Sequence, residues 1–530
     1  VKKKAWRILL IAILSTMVIL AGCTPKSNEQ SSGNGEGKSR NTLVISSVRE
    51  PDTIDVHKTT WVDDSNAHIY DTLLRRDLDG NIIPGLAEKY EISKDGKVWT
   101  FYLDKNAKFH SGEPVTAEAV KKSFERFLQH SAIKFLAGPV DKIEADAQKL
   151  MVYFTEPFAP FASGLTTVYL APMDPKSLDE YGDDFGEHPA ASGIFKFGER
   201  IRGSSITYTK NDDYNWGPSF VDNKGVSDFD KYEFRFITDD DTRVLEFKKG
   251  TTQIMTRVPP NYIKDLETTE GVKIDSMYDQ GITYLGFNNK KPMFQDKRVR
   301  QAIALGIDRE PIVEFALEGY AKPLFGPLPQ TIPGYSEKVE GEAKQKYTKN
   351  VEKAKSLLAE SGWKDSNGDG IVEKDGKPFS FEIWLSDEPV MQRIVQILQG
   401  QLKDIGIKVN ISVQEAAAMA ANTPKGLHDA ILVGYGWSDP DVLYMLFGKG
   451  SSIRMHYESE KLQNLLTKAR QTMDNEERMK IYEQAQQFLV EESPWVPLFV
   501  RENVTAYRDI DGFKQNPYSQ SIIFNDITSK

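Results

Sequence analysis

Cysteine is nearly absent: Cys23 is the only one in 530 residues. No disulfide can close within this chain, so stability has to come from burial. Histidine is scarce as well, and the seven present are scattered without metal-ligand spacing. No His-Glu-x-x-His helix, Gly-x-Ser-x-Gly elbow or cysteine-based centre occurs, which leaves nucleophilic and metal-assisted hydrolysis without their usual parts. Acid pairs turn up in any chain with 77 carboxylates, so a glycosidase-type reaction stays open on residues alone. Basic excess is missing too. The formal net charge is −10, which gives nucleic acid no electrostatic footprint. Beyond the first 22 residues no apolar run reaches the ~18 residues a membrane span needs. No resident cofactor and no metal are expected.

What is present begins with the N-terminus. Lys2, Lys3, Lys4 and Arg7 precede an almost unbroken apolar run from Ile8 to Leu20, and Gly22 offers a small residue for cleavage. That layout reads as an export signal over residues 1–22. Leu20-Ala21-Gly22-Cys23 is similar to a bacterial lipobox, which implies that Cys23 is lipidated and becomes the mature terminus. Residues 23–40 are rich in Ser, Gly, Asn, Lys and Glu, a tether composition. Within it Gly33-Asn34-Gly35-Glu36-Gly37-Lys38-Ser39 imitates a phosphate loop, but Ser32 stands where the first glycine belongs and no strand precedes it. The tether reading is the better one.

The body has an α/β texture of roughly 490 residues, enough for two or three domains. Asn41–Ser46 reads as a strand and helical spacing is expected over about 68–74. Tyr90–Ile92 and Trp99–Leu103 around an Asp95-Gly96 turn read as a hairpin. Thr116 should cap a helix whose stripe is Ala119, Val120, Phe124 and Phe127. Asp239 to Asp241 should open another, with Val244, Leu245 and Phe247 on its apolar side. Met391–Ile405 is amphipathic, Gly406 ends it, and Ile407, Val409, Ile411 and Val413 then alternate as a half-buried strand. Trp495–Val500 reads as a buried strand after two helices over 462–488. Asp365-Ser-Asn367-Gly-Asp369-Gly370 imitates the start of a calcium loop, yet the twelfth position is Gly376 rather than glutamate. An Asx-rich turn before a hairpin accounts for it.

Several blocks together resemble the solute-binding lipoproteins of ABC importers, in the family that takes peptides and nickel complexes (family 5, cluster C). They are Pro84–Tyr90, Trp99–Phe101, Lys108–Val120, Ala191–Phe197, Asn211–Trp216, Tyr284–Asn288, Lys297–Arg309 and Gly362-Trp363, in that order. The resemblance implies a periplasmic-binding-protein-like α/β fold: two lobes joined by a double-crossover hinge. Lobe I would take residues 41–70, 194–285 and 506–530, with an extra α+β subdomain at 71–193; lobe II would take 286–505. It implies a monomer that carries a short peptide to ABC permease subunits, anchored on the extracytoplasmic face of the cell membrane. Nickel chelates and opine-type solutes are the alternatives within the class, and a cell-wall hydrolase or adhesin the alternative outside it. Nickel-binding relatives hold the chelator with arginines on the N-terminal side, and the comparable stretch Leu165–Pro172 has none.

The candidate ligand residues follow from those blocks. Tyr435, Gly436, Trp437 and Asp439 stand after an apolar run, where glycine permits close approach and aromatics line a wall. The resemblance puts an ammonium-binding aspartate of peptide relatives at Gly436, so either Asp439 takes that role or the solute lacks an amino terminus there. Tyr284, on a strand returning between lobes, and Trp61 and His68, near the cleft in relatives, are further candidates. Arg454 and His456 follow a Gly-rich loop, where they could meet a carboxylate or a metal complex, with solvent exposure the plainer account.

Overall fold

The computed structural model describes residues 42–530. The export signal, Cys23 and the tether with its phosphate-loop lookalike lie outside the described residues. From Thr42 on, pattern and structure agree over long stretches. Thr42–Ser47 is a strand with five buried residues in its six. Ala87–Ile92 and Val98–Leu103 form the hairpin, turned at Gly96 with φ +71°. Thr116 caps helix Ala117–His130 by accepting a hydrogen bond from the Ala119 amide at 3.3 Å, and the expected stripe is buried. Asp239 does the same for helix Asp240–Lys248 at Thr242 N (2.8 Å).

Two expectations fail locally. Residues 68–74 form no helix: a capping box at Asp63 starts a single turn, Asp64–Ala67, and Leu74–Arg76 then pairs with Ile82–Pro84 as a hairpin. Strand pairing there satisfies backbone groups that helical side-chain spacing alone assigned to a helix. Leu245, expected on the buried side of its helix, is 51% exposed; Arg243 takes the inner position instead.

A 12-stranded sheet organises the chain. Its spine is Trp495–Arg508, 14 residues long. The first half of that strand pairs with Gly281–Phe287 and the second with Val272–Tyr278. So one long strand, and a pair of strands joined through Asp279-Gln280, run side by side past the middle of the sheet. Packing divides at that point. One hydrophobic core collects residues between Leu43 and Ile254 together with Ile510–Ile527. Two others lie between Ile282 and Phe499. A small fourth gathers Val244, Phe247, Ile263 and Leu266 against Val504 and Ala506. The four-stranded sheet of residues 87–154, covered by Ala117–His130, shares the first core rather than owning one.

Helix Pro389–Lys403, Gly406 at φ +81° and strand Lys408–Val413 follow the expected order. The strand is the sheet edge, so Ile411 and Val413 are exposed while Val409 is buried. In the calcium-loop lookalike, Asp365, Asn367 and Asp369 accept from the amides of Gly368, Asp369 and Ile371 at 2.7–2.8 Å. Those Asx turns lead into the hairpin Glu373–Lys374/Lys377–Pro378.

Candidate functional site

Strand direction locates the site. Thr42–Ser47, Lys231–Phe236 and Ile254–Met255 are parallel, and the last is antiparallel to the second half of the long strand. Ser380–Leu385, Lys408–Val413 and Ala430–Gly436 are parallel to one another. Ala430–Gly436 is antiparallel to Gly281–Phe287, which is antiparallel to the first half of the long strand. One reversal sets the first group against the long strand, and two reversals set the second group along it. Because the long strand travels from the second group to the first, the C-terminal ends of both groups point at each other. In α/β sheets that end is where loops gather ligands.

Four of the sequence candidates meet on the second group's edge. The Tyr435 hydroxyl donates to Pro327 O at 2.8 Å, its ring lies 6.2 Å from Trp495, and burial pushes its pKa well up, so it stays neutral. Tyr284 packs on Trp495 at 4.5 Å and on Tyr435 at 6.3 Å. Arg454 Nη1 donates to the Tyr284 hydroxyl and to Gly434 O, both at 3.0 Å, and no carboxylate pairs with it among the described residues. A Cβ added at Gly436 would meet no atom within 4 Å, so the backbone there borders open space. Gly281, its partner in register, has the opposite surroundings: a Cβ would sit 1.5 Å from Tyr435 O. Asn288 donates to Gly426 O and His428 O at 3.1 and 3.0 Å, and His456 meets Thr423 O at 3.0 Å.

Trp437 stands at the end of the same strand, half-buried, its ring 6.3 Å from Phe135 of the first core's side. Nearby, Arg76 Nη2 donates to Ser438 O at 3.1 Å and the Ala159 amide to Arg470 O at 2.7 Å. These bonds join the two facing edges, and the Trp437 amide donates to Gln280 O at 3.0 Å beside the Asp279 turn.

Asp439 is otherwise engaged. Only 4% exposed, it receives Arg478 Nη1 at 3.1 Å and the Asp441 amide at 2.8 Å. Burial works to raise its carboxyl and Arg478 more than offsets it, holding the group below the ordinary aspartate value. A ligand ammonium would have to displace a buried guanidinium, so the expectation that Asp439 meets ligand is replaced by an internal ion pair. Asp441 is paired likewise, with Arg470 at 2.7 and 2.8 Å.

His68 and Trp61 part company. His68 is wedged between Phe195 and Phe524, at 5.7 and 4.6 Å, with Nε2 2.8 Å from Asp64, an anchored ring within the first core's border. Trp61 is half-buried near the first group's edge, under the Arg49 guanidinium at 4.2 Å.

Sequence reasoning missed the charges beside the crossing strands. Arg257 follows Ile254–Met255, Glu388 follows Ser380–Leu385, Asp279 joins the crossing pair and Arg501 lies on the long strand. Asp63 caps the single turn below Trp61. Their neighbours in sequence carry no motif; only register brings them together. No group of three or more His, Cys, Asp or Glu able to hold a metal occurs among the described residues.

An α/β sheet with opposed strand ends and an aromatic, partly open rim leaves room for a ligand between the strand ends. The family model for bacterial extracellular solute-binding proteins, family 5 (middle), matches residues 81–454, and the chain belongs to this family. It is similar to the oligopeptide-binding protein AppA of Bacillus subtilis (28% identical, 97% of each chain covered). AppA's structure with a nonapeptide aligns at TM-score 0.77 over 92% of this chain and 99% of that one, with 26% identity. The binding protein AgaA of A.tumefacien R10, solved with agropinic acid, aligns at 0.76 with 29% identity over 92% and 99% of the chains. NikZ of Campylobacter jejuni, solved with Ni(L-His), shares the fold at 0.77 with 24% identity over 93% and 100%. These likenesses establish a periplasmic-binding-protein-like α/β fold. No described helix is long and apolar enough to cross a membrane.

Proposed function

We propose that this protein is the extracytoplasmic receptor of an ABC importer, capturing short peptides between two lobes and passing them unchanged to the permease. The observation that carries the reading is the opposition of the two C-terminal strand edges across the crossing strands, lined by Tyr435, Gly436 and Trp437. The lobes are residues 41–70, 194–285 and 506–530 with 71–193 on one side, and 286–505 on the other. The paired strands at Asp279 and Arg501 serve as the hinge. Closure would bury the solute, and exposed main-chain groups at Gly434–Gly436 would hold it with strand-like hydrogen bonds. Arg454 supplies a cation beside them. A lipid on Cys23 would keep the monomer near its permease.

Peptides rank first because AppA, similar along nearly the whole chain, is an oligopeptide-binding protein. A specific feature favours an opine-type solute as the second reading: Gly436 has no carboxylate, Asp439 is internally paired, and AgaA is 29% identical.

Native mass spectrometry of protein purified without added solute is the test, followed by thermal shift against di- to octapeptides. A bound peptide mass, and a melting temperature raised by peptide, are expected. A nickel–histidine mass would displace the peptide reading, and solute recovered chemically altered would end the receptor reading altogether. Trp437→Ala should weaken binding by about tenfold; unchanged affinity would take that rim out of the site.

A further inference from the structure

The charged groups at the crossing strands differ from the directly paired ones at Asp55, Asp439 and Asp441. Arg126, Arg470 and Arg478 each hold an aspartate directly, Arg126 on Asp55 at 2.6 Å and Arg470 on Asp441 at 2.7 Å. Arg257, Arg501, Asp63, Asp279 and Glu388 act on one another electrostatically, yet no direct ion pair joins any of them among the described residues. The Arg501 guanidinium has only Met391 Sδ at 4.0 Å. Asp63 spends its carboxylate on Ser65 N and Oγ at 2.8 and 2.6 Å. Burial raises both Asp63 and Asp279, and nearby Arg257 opposes it in each case. Asp63, Asp279 and Arg501 are half-buried with no counter-ion in contact, which is costly, while Arg257 and Glu388 are exposed beside them, within reach of a solute.

Arg257 carries a second mark. Its backbone sits at φ +52°, the left-handed region that a side-chain-bearing residue occupies at a cost of about 1–3 kcal/mol. The strain is imposed by its surroundings. Buried Arg243 donates to Ile237 O at 3.0 Å and to Arg257 O at 3.3 Å, tying two loops of the first edge together. The next amide, Val258, donates to Val504 O at 2.8 Å on the long strand. Backbone is thus held in a strained form while the guanidinium itself, on an exposed residue, is left without a hydrogen-bond partner. On the other side the Asp279 amide donates to Arg501 O at 2.9 Å, so Arg501 belongs to the same crossing.

We propose that Arg257, seconded by Arg501, is the anchor for a carboxylate of the transported solute at the hinge side of the cleft. The inference rests on the receptor reading and narrows it to a carboxylate-bearing, zwitterionic solute. Two guanidinia would accept one carboxylate through paired N–H donors. Asp63, Asp279 and Glu388 around them repel a multiply charged anion such as phosphate and favour an ammonium on the same solute. The tolerant rim at Tyr435–Trp437 would then hold the remainder.

The test compares free-acid peptides of two to nine residues with their C-terminal amides, and an iminodiacid of opine type with its methyl esters. Binding is read by calorimetry on wild type, Arg257→Asn and Arg501→Gln. Asparagine tolerates left-handed backbone, so Arg257→Asn keeps the fold, which the melting temperature of the solute-free protein checks. Acids should bind at least about tenfold more tightly than amides or esters, and Arg257→Asn should erase that preference. Peptide acids and amides binding equally, or Arg257→Asn binding like wild type, overturns the anchor while leaving the receptor in place. If no peptide binds, the peptide reading falls. The anchor then stands on the iminodiacid preferred over its esters and lost in Arg257→Asn, and is overturned if the iminodiacid shows no such preference.

Discussion

The loop at Asp439–Asp441 and the turn at Asp279 are both acidic, both beside arginines, and both near the facing strand edges, but they are built for opposite ends. In the loop every charge has its counter-ion in contact: Asp439 with Arg478 and Asp441 with Arg470. At the turn the charges are neighbours without contact. Complete pairing makes a rigid wall; incomplete pairing makes a surface with something left to bind. Residue type and sequence context do not separate the two, whereas the contacts each carboxylate makes do.

The largest expected effect breaks the wall. Arg478→Met strands Asp439 as a buried, unpaired carboxylate and should cost about 3–5 kcal/mol of stability in urea unfolding. The double variant Arg478→Met with Asp439→Asn should recover much of that loss, since removing both charges removes the mismatch. Full stability in the single variant would show that the pair carries nothing.

A smaller effect should have the opposite sign at the turn. Burial raises the Asp279 carboxyl, so the native state takes up its proton more readily than the unfolded chain, and its contribution to stability grows as pH falls toward 3.8. Asp279→Asn should therefore stabilise the solute-free protein at neutral pH, by about 1 kcal/mol or less, with the gain vanishing near pH 4. Asp439 runs the other way. Its folded value is depressed, so its contribution is present above 3.8 and is lost as pH falls through that lower value. Unfolding curves of Asp279→Asn and Asp439→Asn taken between neutral pH and about pH 4 should diverge in sign. Destabilisation by both would erase the distinction between the regions.

The smallest effect sharpens the contrast within the rim. Gly436 borders open space, so Gly436→Asp should fold normally and offer the carboxylate that peptide relatives are expected to carry there. Affinity for peptides with a free amino terminus should rise by a few-fold, as expected for a charge-assisted contact still reached by water. No gain, with the fold intact, would place the amino terminus of the solute elsewhere.

Elements with one strong local cause were legible in the chain itself. The Thr116-capped helix, the Asp95-Gly96 hairpin and the helix–Gly406–strand unit each combine periodicity with a cap or turn residue that permits one backbone path. Residues 68–74 were misread because helical spacing of side chains says nothing about a strand partner at Ile82–Pro84. The site was half legible. Tyr435, Gly436 and Trp437 follow a buried apolar strand and stand at its open end, as the pattern suggested. Asp439 looks like a ligand group in the sequence because its partner, Arg478, lies 39 residues away on a helix. Arg257 and Arg501 drew no notice because each is one arginine in an unremarkable stretch.

By itself, then, the amino-acid order determined the local elements and the kinship with solute-binding proteins. Hydrophobic period, caps and turn residues act over a few positions and need no distant partner. Which edges face each other, which carboxylates are satisfied and which guanidinia remain available were decided only by tertiary structure. Charge pairing depends on distances between segments tens to hundreds of residues apart, and those distances are set by helix packing, sheet register and the path of one long strand between the cores.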